Sequence, residues 1–557
     1  MKLSNVDVAR LFSELAFWMQ VEGDNPFKIR AYTRAADTLK RLPKHVFEYT
    51  EEELKNISGF GKAIVEKLGQ IKQSGTFQTL ERYRNMYPAT LLELAKVSGL
   101  GPGKIGTLYR ELHVQTLEDL LACIEDGCIT KVKGISSKAV PKLRESVRYL
   151  LDNRRRIRYD EGDSLAKQLI EYVEKAEDKG KFWPIGALAS FDNVLDSLDF
   201  LTDIPAERLQ EILSGLPNLD GIDPSEEGTR VRLRDVAVPI RIRYGQSSNL
   251  GSLRVQYTSS DKFFRALVDR FGYVESPTEE DFFARIGAPY VPVELRHNPV
   301  ILEGDHLHIL DKLVEETTLR GFIHCHSNYS DGVWSIATLM EEVRSRGFSY
   351  LVLTDHSQYA RYAGGLTVEE LHRQWQEIDD LRRAQPDFPI LKGIELDILP
   401  DGSLDYDEQL RKQFDFVIAS VHSQLDMDED QATERILRAV QSGEIHMLGH
   451  PTGRLLLLRK GYPLRYDEIF EACAANGVAI ELNANPRRLD IDWKYIGEAL
   501  GYGVKICINT DAHRLEDVDY FRYGIAAARK AGLTVDDNIS SWDFATFCEH
   551  FSIHWMN

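Results

Sequence analysis

The sequence predicts a multidomain protein whose first third is all-α and whose last part is an α/β barrel of seven strands. Three observations predict it. At 557 residues the chain exceeds what one hydrophobic core holds. Glycine-containing turns recur between helical segments at 57–64, 97–106 and 132–140. After residue 297, short β-branched runs ending in His, Asp or Glu alternate with helical segments.

Whole-chain properties exclude several classes. No apolar run reaches the roughly 18 residues that span a bilayer, and MKLSNVDVAR lacks the apolar centre of a signal peptide. A cytoplasmic protein without membrane association is expected. The six cysteines show no CxxC spacing, so neither a disulfide framework nor a zinc finger is indicated. The net charge of −19 hides an asymmetry. Residues 1–155 hold 25 Lys and Arg against 19 Asp and Glu, and the remainder 43 against 68. The basic third is compatible with a phosphate backbone, and the acidic remainder with cations.

Helical apolar spacing runs through 5–20 and 28–42. The three turns then follow: ISGFGKAI, VSGLGPGKIG and VKGISSKAV. Each joins an apolar residue, a short glycine turn and a helix, the helix-hairpin-helix pattern. Gly59, Gly61, Gly99, Gly101, Gly103 and Gly134 let the backbone approach a phosphate closely, with helix N-terminal amides aimed at it. In the third turn Ser-Ser-Lys replaces the second glycine. Ordinary glycine caps between packed helices are the alternative. Three such turns within 80 residues favour sequence-independent DNA binding. NPFKIRAYTRAAD followed by ISGFGKAIVEKLGQIKQSGTF resembles the N-terminal region of family X DNA polymerases. The resemblance implies a DNA-end-binding domain over 1–88 and further hairpins over 89–157. In relatives with deoxyribose-phosphate lyase activity a lysine of the second hairpin helix forms the Schiff base. The matching position is Lys67, for which a phosphate contact or a solvated helix lysine is the alternative.

Residues 158–297 resemble the palm and thumb of the same family, an α+β body similar to polymerase beta. Nucleotidyl transfer needs carboxylates converging on two metals, two of them spaced i, i+2 on a strand. In FWPIGALASFDNVLDSLDFLTD the first position of that pair is Ser197, and only Asp199 is acidic. VAVPIRIRYG stands where a third aspartate belongs and carries Ile240, Arg241, Ile242 and Arg243. Gly186 is kept, while Ala187, Ala189 and Ser190 replace residues that hold the triphosphate. The expectation is a degenerate polymerase site within a DNA-binding or structural body.

A linker over 298–318 leads to the last domain, 319–557, which holds most of the chain's histidines. Its units are GFIHCHS, YLVLTDHS, ILKGIELDI, FVIASVHS, HMLGHPTG, VAIELNANP and VKICINTDAH. Continuous apolar strands alternating with helices indicate a covered parallel barrel of the TIM type, with chemistry at the strand C-termini. His324 and His326 share one face of their strand. His356, Glu395, His422, His450 and the pair Asp511 and His513 arrive from five further strands, and Asp331 from the loop after the first. Imidazole and carboxylate suit zinc, manganese or iron, and Cys325 should point away. A single strand-end histidine is commonly a satisfied core residue; nine suitable residues at one end are not. His297, His306, His308, His372, His446, His550 and His554 lack the context and read as structural or surface residues.

These motifs resemble the polymerase and histidinol phosphatase (PHP) superfamily at all nine positions. The resemblance implies three divalent ions hydrolysing phosphate esters, Asp355 and Ser327 orienting ligands, and Arg454 contacting a substrate phosphate or forming a surface salt bridge. The whole order resembles bacterial and archaeal family X polymerases with a C-terminal PHP domain. It implies a nucleoid-associated repair protein acting on gapped, nicked or abasic duplex as a 3′–5′ exonuclease or apurinic-site endonuclease. A gap-filling polymerase, a small-molecule phosphatase and a DNA-end scaffold are the alternatives. No feature of the sequence sets an oligomeric state.

Overall fold

The computed structural model describes residues 3–555 apart from Arg41 and Pro43. It divides into two compact units, Met1–Arg154 and Arg155–Asn557. Among the described residues no helix is long and apolar enough to cross a membrane.

The first unit is all helix. Ser4 and Asp7 form a capping box that starts Asn5–Glu22, and Thr50 with Glu53 starts Glu51–Asn56 in the same way. The core is built from Phe12, Trp18, Leu68, Phe77, Leu80, Ile105, Leu120 and Val147. The three glycine turns share one geometry. Gly59, Gly99 and Gly134 have φ of 94°, 81° and 86°, a left-handed conformation that disfavours any side chain. In each turn a backbone N–H closes back onto the apolar residue three positions earlier, Phe60 to Ile57, Leu100 to Val97 and Ile135 to Val132. Gly61 and Gly101 then cap Lys62–Ser74 and Pro102–Leu112 without any side-chain bond. Ser136 takes that position in the third turn with a similar extended backbone, so the missing second glycine leaves the turn intact. Beside it the structure pairs Cys123 with Cys128, a short-range disulfide that a search for CxxC spacing passes over.

The second unit contains two bodies. The middle body holds a two-stranded pair, β1 (Ile157–Arg158) with β3 (Val194–Leu195), and a five-stranded sheet. That sheet consists of β2 (Phe182–Ile185), β4 (Leu198–Thr202), β5 (Leu219–Ser225), β6 (Gly228–Leu233) and β7 (Ile240–Tyr244), in the order β2-β4-β7-β6-β5. Only β4 and β7 run parallel, which sets Asp199 directly beside Arg241. Helices Leu250–Tyr257, Asp261–Phe271 and Glu279–Ile286 follow, around the buried Arg296–Glu279 pair.

The C-terminal body is a parallel sheet of seven strands curled into a near-barrel. Its strands are β8 (Gly321–Phe322), β9 (Tyr350–Leu353), β10 (Ile390–Asp397), β11 (Phe416–Ser420), β12 (Met447–Leu448), β13 (Ala479–Asn483) and β14 (Ile506–Asn509), hydrogen-bonded in sequence order. At the C-terminal ends the first and last meet: Cys325 bridges Ala512, and the His326 N–H donates to the Ala512 carbonyl at 2.9 Å. Both strand faces are buried, which is why the runs read as continuously apolar. Inside lie Ile323, Tyr350, Val352, Leu391, Phe416 and Ile418, closed from below by Phe547 and Phe551. Outside, against the helices, lie Phe322, Leu351, Leu353, Ile394, Val417 and Ile480, and Cys325 belongs to this outer layer.

Candidate metal centre

All nine residues singled out in the last domain converge at the barrel mouth. Their ligand atoms form four overlapping groups: His326, Asp331, His356 and His513; His324, His326 and Asp511; His324, Glu395 and His450; His356, Glu395 and His422. Among the described residues these are the groups able to hold a metal ion. Glu395 is the hub. Its carboxylate lies 2.8 Å from His356, 3.0 Å from His450, 3.2 Å from His422 and 3.3 Å from His324. Three of the nine, His324, His450 and Asp511, sit at φ of 62°, 24° and 53°. Strained backbone of this kind persists where the surroundings impose it, commonly at functional sites.

A layer of buried acceptors orients the imidazoles. Glu481 lies 2.5 Å from His324 Nδ1, leaving Nε2 facing Glu395 and Asp511. Asp397 holds Nδ1 of His422 at 3.3 Å, and the Asp511 carbonyl holds Nδ1 of His513 at 2.7 Å. Such partners fix which nitrogen faces a metal. Glu481 has no role in the sequence reading, although its run, VAIELNANP, was recognised as a barrel unit. The strand-end position was the available signal.

Asp355 lies one shell back and belongs to none of the four groups. It accepts hydrogen bonds from the Ser327 amide and hydroxyl, the Ser330 hydroxyl and Gln374, and so pins the loop that carries Asp331. Arg454 also stays out of the cluster. Its guanidinium donates to the carbonyls of Arg488 and Leu489 and pairs with Asp492 at 2.5 Å. Sequence reasoning passed over Arg488, whose Nε lies 3.8 Å from Asp511.

The cluster fits cations. His324 Nε2, His326 Nδ1, His356 Nδ1 and Glu395 Oε2 are buried polar atoms that make no aligned hydrogen bond, although His356 Nδ1 and Glu395 Oε2 lie only 2.8 Å apart. Such atoms need a counterpart in a folded protein, and one or more divalent ions between them would provide it. Burial opposes charge throughout, yet the surrounding imidazoles hold Glu395 and Asp511 well below the ordinary carboxylate range. Against the same burial, His422 is pushed up to about 10 by Glu395 and Asp397, and His513 to about 9 by Asp331 and Asp511. Burial and the neighbours His513 and His356 drive His326 down to about 3. The site is a nest of ionised carboxylates whose negative charge a divalent ion can take over from those protons.

The other sequence candidates lie elsewhere. Asp199 on β4 is paired through Arg241, whose Nε is 2.5 Å from Oδ1 and whose Nη2 is 2.8 Å from Oδ2. Ser197 bonds both partners. Asp196 points away, exposed, to Arg156. In the first unit, Lys67 is half-buried, with Nζ 5.5 Å from the Tyr32 ring centroid and 6.0 Å from that of Phe77. Gly59 and Gly61 line a groove with Phe27, Arg30, Arg34 and Lys55. Phe27 is 75% exposed there.

Residues 4–77 match the helix-hairpin-helix domain family, and residues 323–485 match the PHP domain family. The chain is 33% identical over 557 residues to the DNA polymerase/3′-5′ exonuclease PolX of Bacillus subtilis (strain 168), covering 96% of each protein. A probable phosphatase of Thermoanaerobacter sp. (strain X514) is 27% identical over 230 residues, 38% of this chain and 86% of that protein. A probable phosphatase of Photobacterium profundum is 24% identical over 245 residues, 41% and 92% respectively.

Proposed function

The chain belongs to the PolX family of DNA polymerase/3′–5′ exonucleases, and from that premise we propose that its chemistry is concentrated in the PHP domain. The protein acts as a metal-dependent phosphodiesterase on DNA ends or abasic sites, with a polymerase body that no longer incorporates nucleotides. The observation that carries this reading is the contrast between nine converging ligands at the barrel mouth and one ion-paired carboxylate in the palm.

Three divalent ions, manganese or zinc with iron a further choice, would supply a nucleophilic water at neutral pH and polarise the phosphate. The chain's residues do the rest. His326, Asp331, His356 and His513 form one binding pocket, His324 and Asp511 extend it, and Glu395 with His422 and His450 completes it. Glu481, Asp397 and the Asp511 carbonyl keep His324, His422 and His513 in their working tautomers. Asp355 keeps Asp331 from swinging out. The hairpins of the first unit hold the duplex by its phosphates through Gly59, Gly61, Gly99, Gly101, Gly103 and Gly134, without reading sequence.

In the palm, a carboxylate pair would have to receive two cations. Arg241 already neutralises Asp199, and its guanidinium takes the place beside β4 where an acidic side chain is required. Lys67 remains a lyase nucleophile in this reading only if an abasic sugar reaches it across the Tyr32 and Phe77 rings. The relatives named as probable phosphatases share only the PHP part, so a small-molecule substrate would leave the hairpins without a task.

The test uses a 5′-labelled primer in a one-nucleotide-gapped duplex with manganese, with and without deoxynucleotides, for wild type and His324→Ala. Primer shortening that disappears in His324→Ala is expected, with no extension in either protein. Extension that persists in His324→Ala would overturn the reading of the palm.

A further inference from the structure

We propose that Arg488, held out over the metal cluster by a loop that Arg454 and Leu489 fix in place, is the residue that binds the non-bridging oxygens of the scissile phosphodiester. This rests on the phosphodiesterase reading above and assigns its phosphate contact.

The loop leaves the end of β13 and turns straight back. The Asn483 N–H donates to the Asp490 carbonyl at 2.6 Å and the Ile491 N–H to the Glu481 carbonyl at 3.0 Å. Between them Leu489 adopts φ of 43°, a strained conformation for a branched side chain. Three successive carbonyls are tied down: Arg487 accepts from the Leu456 N–H at 2.7 Å, and Arg488 and Leu489 accept from the Arg454 guanidinium. Asp490, fully buried, accepts from the amide and hydroxyl of Thr452 at 3.1 Å and 2.9 Å. The Leu489 side chain is buried in the apolar core of the middle body with Tyr523. A loop tied down at three successive carbonyls, with its apolar member sunk in the neighbouring body, leaves Arg487 exposed and sets the direction of its other long side chain.

That side chain is Arg488. Its Nε lies 3.8 Å from Asp511 Oδ2, while Asp511 Oδ1 lies 3.0 Å from His326 Nε2 and 3.4 Å from His324 Nε2. The guanidinium therefore borders the ligand set without being a ligand. It is too far from Asp511 for a bidentate pair, and its side chain is 22% exposed. Arginine stays charged at any working pH and presents a planar fork that matches two phosphate oxygens. In the hydrolysis, the water oxygen bonds to phosphorus as the bond from phosphorus to the 3′ oxygen breaks; the 3′ oxygen leaves with the electron pair and takes up the proton the water gives up. The charge on the non-bridging oxygens is what Arg488 meets. Arg454, the arginine that sequence reasoning placed on the phosphate, acts one step back as a positioning residue, since its donors are engaged by the loop.

The experiment compares full-length, manganese-loaded wild type with Arg488→Ala, Arg488→Lys, Arg454→Lys and His324→Ala. Each is measured on the 5′-labelled gapped duplex and on bis-p-nitrophenyl phosphate, with bound manganese counted per chain. Loss of a charge-assisted bidentate contact predicts a fall of about 100-fold in kcat/KM for Arg488→Ala on both substrates, manganese unchanged. Arg488→Lys should recover only part, because the fork is lost. Arg454→Lys should fall in the same direction by about tenfold, again with metal retained. Activity of Arg488→Ala within twofold of wild type, with His324→Ala inactive, would overturn the assignment alone. Loss of manganese in Arg488→Ala would overturn it too, making the residue part of the metal site's framework. Full activity in His324→Ala would overturn the phosphodiesterase reading itself, and the assignment with it.

Discussion

The barrel mouth and the palm both present acidic side chains at strand ends or on strands, yet one is built as a metal site and the other as an ion pair. At the mouth, Glu395 faces five imidazoles and, among the described residues, no guanidinium within ion-pair distance. In the palm, Asp199 faces Arg241 across adjacent parallel strands, with Ser197 filling the i, i+2 position. The difference teaches that a metal site is defined by what its ligands lack. Carboxylates become ligands where no fixed cation of the protein pairs with them closely, and where buried acceptors behind them hold the imidazoles in place. In the palm, one arginine on the adjacent strand gives the carboxylate an ion-pair partner instead.

The sharpest break of the comparison comes from its hub. Glu395→Ala removes the carboxylate common to two of the four ligand groups. Nuclease activity should fall roughly a thousandfold, equivalent to about 4 kcal/mol of transition-state stabilisation. Steady-state rates on the gapped duplex measure it. An activity within tenfold of wild type would place the chemistry outside the barrel mouth.

Next in size is the effect of the metal on stability. Ions at a hundred times their dissociation constant stabilise the folded state by roughly 3 kcal/mol. A chelator should therefore lower the melting temperature of the wild-type protein. The shift should vanish in Glu395→Ala and persist in Asp199→Ala, because only the former removes a ligand. Calorimetry on the three proteins separates these cases, and a chelator shift lost in Asp199→Ala would mean that the palm binds metal after all.

Glu481→Gln comes third. The change keeps size and removes the charge that accepts from His324 Nδ1. Loss of such a partner costs about 10- to 100-fold in metal affinity or activity. The manganese concentration for half-maximal activity should rise accordingly, while saturating metal recovers much of the rate. An unchanged manganese requirement would mean that His324 is oriented by its strand alone.

Much of this was legible in the sequence because strand-end position is a local property. HCHS, TDHS, ASVHS and TDAH each follow an apolar run, so the runs alone placed His324, His326, His356, His422, Asp511 and His513 at one end of a barrel. The hairpin glycines were legible for the same kind of reason, since a left-handed turn is set by a few neighbouring residues. What was not legible depends on side-chain direction in loops. Arg454 and Arg488 are both arginines near a strand end. Only the folded loop shows that one donates to the other's carbonyl. Glu481 was visible as a strand-end carboxylate, but its role needs the approach of His324 from a strand far away in sequence. The Cys123–Cys128 bridge was missed because its spacing carries no motif. In the palm, the structure sends Asp196 and Asp199 to Arg156 and Arg241 respectively. The pairing itself required the register of β4 against β7.

The smallest effect is also the most direct probe of the palm. Arg241 is more than half exposed on its side chain, whereas Asp199 is largely covered. An ion pair open to solvent on one side contributes at most about 1 kcal/mol, so Arg241→Ala should unfold at nearly the wild-type denaturant midpoint. The same substitution frees Asp199 from the cation it pairs with. If the arginine is what keeps metal out of the palm, Arg241→Asp, which adds a second carboxylate beside Asp199, should raise the manganese bound per chain above the wild-type value. On the proposed reading of the palm, Arg241→Asp should show no primer extension. Manganese content unchanged in Arg241→Asp, in a protein that folds as shown by an intact nuclease rate, would mean that two carboxylates on β4 and β7 are insufficient. The missing acid at Ser197 would then be the decisive loss, since the i, i+2 partner is the one that places two ligands on the same face of a strand.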